Sequence, residues 1–547
     1  MSIYLYFTTL KYLRVGQIFH LIKNRFFKNK ENYSQQSLKT RKKPEAKLIS
    51  IKTKDSYLGD GRFFFLNEIQ KIQTQLIWHK KKLSLLWEYN LHYFDFLNSE
   101  SSYRHNSDFI LFVKNWIRLH KNISSPAWDP YPTSLRICNW IKWDLKFGTL
   151  DSEAKRSLVR QSNFLMNNIE YHLLGNHVLK NAKALIYAGL YFEDALSDRW
   201  LKKGLEIFNK ELQEQFLPDG GHFELSPMYH SICLEDILDI YSLYIFYDID
   251  IPFCLDEHIN KMSLWLQAMS HPDGEISFFN DSCLNVASCN DDIFDFCQKL
   301  KINLDKLNQE IIFFKDSGYI RVNKKDYVAI LDVAKIGPDY QPGHGHADVL
   351  SFEVSLFKKR FIVNSGISTY DANKLRLNQR GTSLHSSLTI NDENSSLIWD
   401  SFRVGKRAVP YDICIEKLNQ SCKIQAAHDG FSKFFKKRTH RREWFFHNNS
   451  IIVQDNVKGF LGDKVKSNFY LGPEVKFIRQ IGQEIFLKID KKDIKIESEG
   501  DGEIFVTEGF YYPEFNLKTK NYRICIQHII GRELFCKISL KISWKRS

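Results

Sequence analysis

Apolar positions follow two different rhythms along this chain, and the change falls near residue 315. Between about 60 and 310 the spacing is helical. In NHVLKNAKALIYAGLYF, Val178, Ala182, Leu185, Ile186 and Gly189 stand at i, i+4, i+7, i+8 and i+11. That is one face of an amphipathic helix, with a small residue suited to close packing. CLEDILDIYSLYI repeats the pattern through Leu234, Ile237, Leu238, Tyr241 and Ile245. From about 316 short alternating runs take over: YIRVN, YVAILDVA, FEVSLF, SLTIND, SIIVQD, EIFLKID and RICIQHII, parted by Gly, Asn, Asp and Lys turns. Leu350, Phe352, Val354 and Leu356 alternate with Ser351, Glu353 and Ser355, which predicts a half-buried strand. All helices precede all strands. The order predicts an α+β, multidomain protein: a basic N-terminal segment over 1–59, a helical domain over 60–315 and an antiparallel β-sandwich over 316–547. It excludes a doubly wound α/β sheet.

With 547 residues, the chain is too long for one ordinary core. Its 43% hydrophobic and 26% charged residues are those of a globular protein. The formal charge is +13, and much of the excess lies in KNRFFKNKENYSQQSLKTRKKPEAK. That run reads as a solvated, partly mobile segment, or as one attracted to an acidic polymer or an anionic membrane surface. No nucleic-acid motif accompanies it, so nucleic acid is not an expected partner. No apolar stretch reaches the roughly 18 residues a transmembrane helix needs. The ten cysteines form no CxxC and sit mostly among apolar neighbours, as reduced core thiols do. MSIYLYFTTLKYLRVGQ has neither a basic start nor a cleavage motif of a signal peptide, so the expected location is cytoplasmic, with periplasmic as the alternative. The oligomeric state is not legible.

Four stretches carry candidate chemistry. In LLGNHVLKNA, Asn176 and His177 follow Gly175 at a helix start, where Asn176 also suits a plain N-cap. LPDGGHFELSPMYH crowds His222, Glu224, Tyr229 and His230 into one loop. QPGHGHADVLSFEV places His344 and His346 on a glycine loop at the mouth of a strand, as metal ligands, acid and base, or turn residues. NSGISTYDANKLRLNQRGTSLHSSLTIND brings Asn364, Tyr370, Arg380 and His385 before another strand. Three histidines at such spacing are a moderately specific metal signal.

Taken in order, Asn176-His177, ELSPMYH, HGHADVLSFEV, VNSGISTYD and RGTSLHSSLTIND resemble the heparinase II/III family of polysaccharide lyases. WEYNLHYFDFL and DPYPTSLRICNWIKW are similar to segments that precede that family's catalytic helices. The resemblance spans about residues 60–460. It implies an incomplete (α/α) toroid followed by the sandwich, with the active site in the cleft between them. It also implies β-elimination next to a uronic acid in an acidic polysaccharide or oligosaccharide. Asn176 and His177 match the residues that neutralise the uronate carboxylate. Tyr229 matches the group that removes the C5 proton, protonates O4, or both, and a neighbouring cationic His is expected to lower its pKa. His344 matches a second acid or base. His346 and His385 match metal ligands, for a divalent ion such as zinc, and Asn364 stands where a carboxylate is usual, a weaker ligand. Arg136, Trp128, Trp140, His230 and Glu224 are the candidate substrate-binding residues. A uronate C5 epimerase and a non-catalytic glycan-binding or assembly protein remain as alternatives.

Overall fold

The computed structural model describes residues 3–26, 36–72, 83–252, 254–419, 421–433 and 436–545. Residues 27–35, inside the basic run, lie outside the described residues. The helical half is an incomplete toroid of antiparallel helices: Leu85–Tyr93, Asn106–Leu119, Pro130–Phe147, Ser152–Asn167, Asn176–Tyr191, Ala195–Gln215, Pro227–Tyr247, Leu255–Ala268 and Asn290–Lys299. A hairpin, Arg62–Phe65 with Glu68–Lys71, precedes them. Within residues 1–59, Ile3–Leu10 and Val15–Phe26 are helical.

Asn176–Tyr191 lies at the centre of the toroid. Every residue in it except His177 is buried, so the one-sided helix expected from its pattern is enclosed all round. Two features permit this. A Cβ on Gly189 would sit 2.6 Å from Leu201 Cβ, and one on Gly204 2.9 Å from Ile186 Cγ1, so the two glycines let Asn176–Tyr191 and Ala195–Gln215 approach closely. The polar residues are neutralised internally. Lys180 pairs with Asp236 at 2.5 Å, Lys183 with Asp236 at 2.7 Å and with Asp239, and Lys142 with Asp239 at 2.5 Å. These ion pairs tie three helices together. Burying such charges costs several kcal/mol per ion unless they are paired.

The sandwich begins at Ile311, a few residues before the boundary expected from the alternating runs. One sheet runs in spatial order Tyr411–Leu418, Ser421–His428, Thr439–Phe446, Ser450–Lys458, Phe535–Trp544, Lys492–Gly500, Glu484–Ile489, Lys476–Ile481. The other runs Glu503–Tyr511, Thr519–Ile529, Lys464–Leu471, Lys359–Val363, Phe352–Leu356, Tyr327–Asp332, Tyr319–Asn323, Ile311–Phe314, with Leu388–Ile390 paired to Lys464–Leu471. Neighbours pair antiparallel, and Phe352, Trp444, Val453, Phe469 and Leu540 fill one core between the sheets.

The strand Phe352–Leu356 is buried at every position and not on one face only. Its polar face meets the helical domain. His271 bonds Ser355 Oγ at 2.8 Å and Glu353 Oε2 at 2.7 Å, while Glu353 Oε1 accepts the Phe278 and Asn364 N–H groups. Leu350 precedes the strand in a left-handed turn, φ 61°. Among the described residues no helix is long and apolar enough to cross a membrane, and all ten cysteines are unpaired.

Inside the sandwich Asp455 is buried beneath Arg442 and His440, with contacts of 2.7 to 2.9 Å. Burial opposes its charge, but Arg442 and His440 prevail and hold the carboxyl well below the usual range. Asp455→Ala should lower the free energy of unfolding by about 3–5 kcal/mol, because it strands a buried guanidinium; denaturant titration reads this. A folded pKa below the unfolded one makes the contribution present above pH 3.8, the ordinary aspartate value, and lost as pH falls.

Candidate active site

Tyr229 stands on the first turn of Pro227–Tyr247. Ser226 caps that helix by accepting the Tyr229 N–H at 3.2 Å, and its hydroxyl donates to the Asp281 carbonyl at 2.6 Å. The cap therefore fixes the tyrosine and joins it to the loop that carries Asp281. The Tyr229 ring lies against the His344 imidazole, centroids 3.9 Å apart, and its hydroxyl meets that of Tyr370 at 3.0 Å. His344 rides on the glycine loop. A Cβ on Gly345 would strike the Ile336 carbonyl, so the loop can take this path only with glycine there.

Asp281 organises the site. It is wholly buried. Oδ2 contacts His344 Nδ1 at 2.8 Å, Oδ1 contacts His346 Nε2 at 2.8 Å, and Arg376 grips both oxygens, one of them at 2.7 Å. Burial opposes ionisation, but Arg376 and the two histidines outweigh it and keep the carboxyl well below its usual range. An ionised Asp281 accepts the His344 Nδ1–H, so Nε2 is the ring nitrogen left to exchange a proton.

Asn176 and His177 open the central helix. Gly175, at φ 58°, is the cap residue, so Asn176 is not the N-cap. A Cβ at 175 would lie 2.6 Å from Glu224 Oε1 and would collide with Gln341, a second reason for glycine. His177 Nδ1 lies 3.2 Å from Glu170, and its side chain is 28% exposed. Burial lowers its pKa, but Glu170 outweighs burial and the net shift is upward. Glu170 thus favours the protonated form of His177, which would offer a positive donor. Glu224 lies behind these groups. It is buried, 3.7 Å from His344 Nε2 and beside the Asn176 N–H, and burial raises its pKa. The chain of contacts Asn176–Glu224–His344–Tyr229 brings the four expected catalytic residues to one place.

Two expectations need correction here. Tyr229 does not have a lowered pKa. Burial chiefly, then Tyr370 and Asp281, push the phenol well above 10. Asn364 is engaged elsewhere: its amide oxygen accepts the Ser386 N–H at 3.0 Å and its nitrogen faces Ser351 Oγ at 3.3 Å. The carboxylate beside His346 and His385 is Asp348, and one donor atom from each of the three lies within 4.8 Å of the others. Burial lowers His346 to about 4 and His385 well below its usual value, and it raises Asp348 to about 6. The imidazoles are therefore neutral, as ligands must be, and His346 Nδ1 lies 3.2 Å from His385 Nε2. Two neutral imidazoles and a carboxylate fit a small divalent ion such as zinc.

Most of the expected substrate-binding residues lie elsewhere. Arg136 is fully buried, 3.9 Å over the Trp116 ring, and bonds Gln161 Oε1 at 2.8 Å. Trp140 packs on Phe94 and Trp116, and Trp128 donates to the His120 carbonyl. These three are helical core. His230 is buried against Trp265, bonded to the Met262 carbonyl at 2.9 Å and lowered by burial to about 3, so it braces the loop as a neutral ring. Of the five only Glu224 reaches the site. The sequence reading missed Asp281, Arg376, Glu170 and Gln341. Asp281 and Glu170 lie in stretches without a motif, whereas Arg376 and Gln341 sit inside motif stretches without standing out in them.

The Heparinase II/III N-terminus matches residues 149–298, and the Heparinase II/III-like C-terminal domain matches 307–533. The chain belongs to the heparinase II/III family. Among the family's characterised proteins, the heparin-sulfate lyase of Pedobacter heparinus is 27% identical over 269 residues, 44% of this chain and 40% of that protein. The Bacteroides stercoris heparin-sulfate lyase is 27% identical over 317 residues, 53% and 44% of the two chains. The matches thus span less than half the length of these relatives. A heparinase III crystal structure superimposes with a TM-score of 0.76 at 18% identity, covering 96% of this chain and 89% of the other. A heparan sulfate lyase structure from Pedobacter heparinus gives 0.60 at 17% identity, covering 89% and 82%. These likenesses are of fold, and the toroid-plus-sandwich architecture is the family's.

The metal question is open to direct measurement. Elemental analysis of protein purified without chelator should find about one divalent ion per chain, and His346→Ala should lose it. Near-zero metal in both would make the pair a structural brace.

Glu170→Gln should shift the alkaline limb of any activity that needs protonated His177 toward lower pH. The carboxylate is what lifts that imidazole above 6.5. A pH–rate profile with an unmoved alkaline limb would refute the role.

Proposed function

We propose that the chain is a polysaccharide lyase acting by β-elimination next to a uronic acid. The observation that carries this is the close Tyr229–His344 ring contact, centroids 3.9 Å apart, with Asn176 and His177, whose protonated form Glu170 favours, reached across Glu224. A uronate carboxylate makes the C5–H a poor acid until its charge is neutralised. The Asn176 amide and His177 imidazolium supply donors for its two oxygens. His344 Nε2, the ring nitrogen not engaged by Asp281, takes the C5 proton. The electrons form the C4–C5 double bond, and the C4–O4 bond breaks. Tyr229, protonated because its surroundings disfavour phenolate, gives its proton to the departing O4. Proton return through the Tyr229–Tyr370 contact and the cleft restores the resting state. A divalent ion bound by His346, Asp348 and His385 would stiffen the loop behind His344 and add positive charge there. Because the characterised relatives are named heparin-sulfate lyases, heparan-type glycans are the first substrates to test among acidic polysaccharides.

The test is a screen of uronate polymers for the ultraviolet absorbance of a 4,5-unsaturated uronate. Tyr229→Phe should lower turnover by roughly 10²–10⁴-fold while leaving glycan binding nearly intact, since only a hydroxyl is lost. Asn176→Ala should cost about 3–4 kcal/mol in the barrier if it resembles the loss of an oxyanion donor. The double variant should be little worse than either single one, because both act on one step. A Tyr229→Phe enzyme at near wild-type rate would remove the tyrosine from the mechanism. Exchange of the C5 proton without new absorbance would instead indicate epimerisation.

A further inference from the structure

The two N-terminal helices are turned inside out. Thr8, Thr9 and Gln17 are buried against the protein, while Phe7, Leu10, Val15, Ile18, Phe19 and Ile22 face outward, Val15 at 84% exposure and Phe7 at 68%. In Val15–Phe26 the exposed set falls at i, i+3, i+4 and i+7, a full apolar stripe on the solvent side. A surface helix in water presents the opposite face. The orientation is fixed by polar contacts. Trp399 Nε1 donates to Thr9 Oγ1 at 3.1 Å, and Gln17 Nε2 donates to the Tyr340 carbonyl at 3.3 Å. Arg14 stacks on Tyr340 at 3.6 Å and pairs with Glu214. The helices thus bridge the helical domain and the sandwich, and among the described residues nothing covers the stripe.

Charge identifies the occupant. Residues 1–50 contain eleven Lys and Arg against two Glu, so nine of the thirteen net positive charges lie in this stretch. Lys23 is exposed on the second helix and Lys11 in the turn between the two. An acidic glycan would satisfy the cations and leave the stripe in water. A second copy would cover the stripe but bring two strongly basic segments together. We propose that this helix pair seats in the interface of an anionic lipid bilayer, its stripe among the upper acyl chains and its cations among the headgroups. The helices reach Tyr340, four residues before His344, so docking holds the cleft loop close to the membrane surface.

Vesicle flotation of the full chain tests this, using phosphatidylcholine with and without phosphatidylglycerol. The wild-type chain should float with the anionic vesicles, less so at high salt, and poorly with phosphatidylcholine alone. Val15→Ser/Phe19→Ser should reduce binding at least about tenfold, given the apolar area withdrawn. Its thermal unfolding should not change, because both side chains are exposed. Lys11→Glu/Lys23→Glu should also weaken binding. Three results would overturn the proposal. One is no flotation with anionic vesicles at low salt. Another is flotation unaltered by Val15→Ser/Phe19→Ser, which would mark a purely ionic contact with any polyanion. The third is a wild-type dimer, converted to monomer by that double variant, that does not bind vesicles.

Discussion

The buried carboxylate of Asp281 is the constraint on which the site depends. It belongs to the loop that closes the helical domain, yet its partners His344, His346 and Arg376 all belong to the sandwich half. One anion therefore joins the domains, engages Nδ1 of the imidazole beside Tyr229 and orients His346, one of the metal candidates. Its ionisation rests chiefly on Arg376. The guanidinium holds the charge that holds the histidines, so the reactive face of the cleft is set by an ion pair remote from any sugar.

This arrangement explains how the pKa values divide the labour. Burial, aided by Tyr370 and Asp281, disfavours a Tyr229 phenolate, so the hydroxyl is kept as a proton donor. At His177, Glu170 stabilises the cation. Phenol and imidazole in one cleft are thus both shifted toward their protonated forms, Tyr229 chiefly by burial and His177 by Glu170.

Much of the architecture was legible in the chain. The shift from helical spacing to alternation marked the domain change to within a few residues, because each half is patterned by burial on its own core. Asn176, His177, Tyr229 and His344 were legible as members of an ordered set of motifs. Arg136, Trp128 and Trp140 misled, because an aromatic–guanidinium cluster suits a sugar platform and a packed core equally well, and sequence does not say which side faces water. Phe352–Leu356 misled for a related reason: Ser351, Glu353 and Ser355 look solvent-facing, yet a neighbouring domain covers them. Asp281 carried no local signal, and Arg376 none that set it apart within its motif stretch, since the two stand 95 residues apart and their role exists only in the folded chain.

The seam at Glu353 has a consequence for the molecule as a whole. Its carboxylate is fully enclosed, and its partners, His271 and the Phe278 N–H on one side and the Asn364 N–H on the other, come from both halves. Drawing the halves apart would strip this acid of its contacts to the helical half and open a dry polar surface, a costly step unless water entered along the whole seam. Plain as the division is in the sequence, the enclosed acid therefore couples toroid to sandwich and opposes their separation.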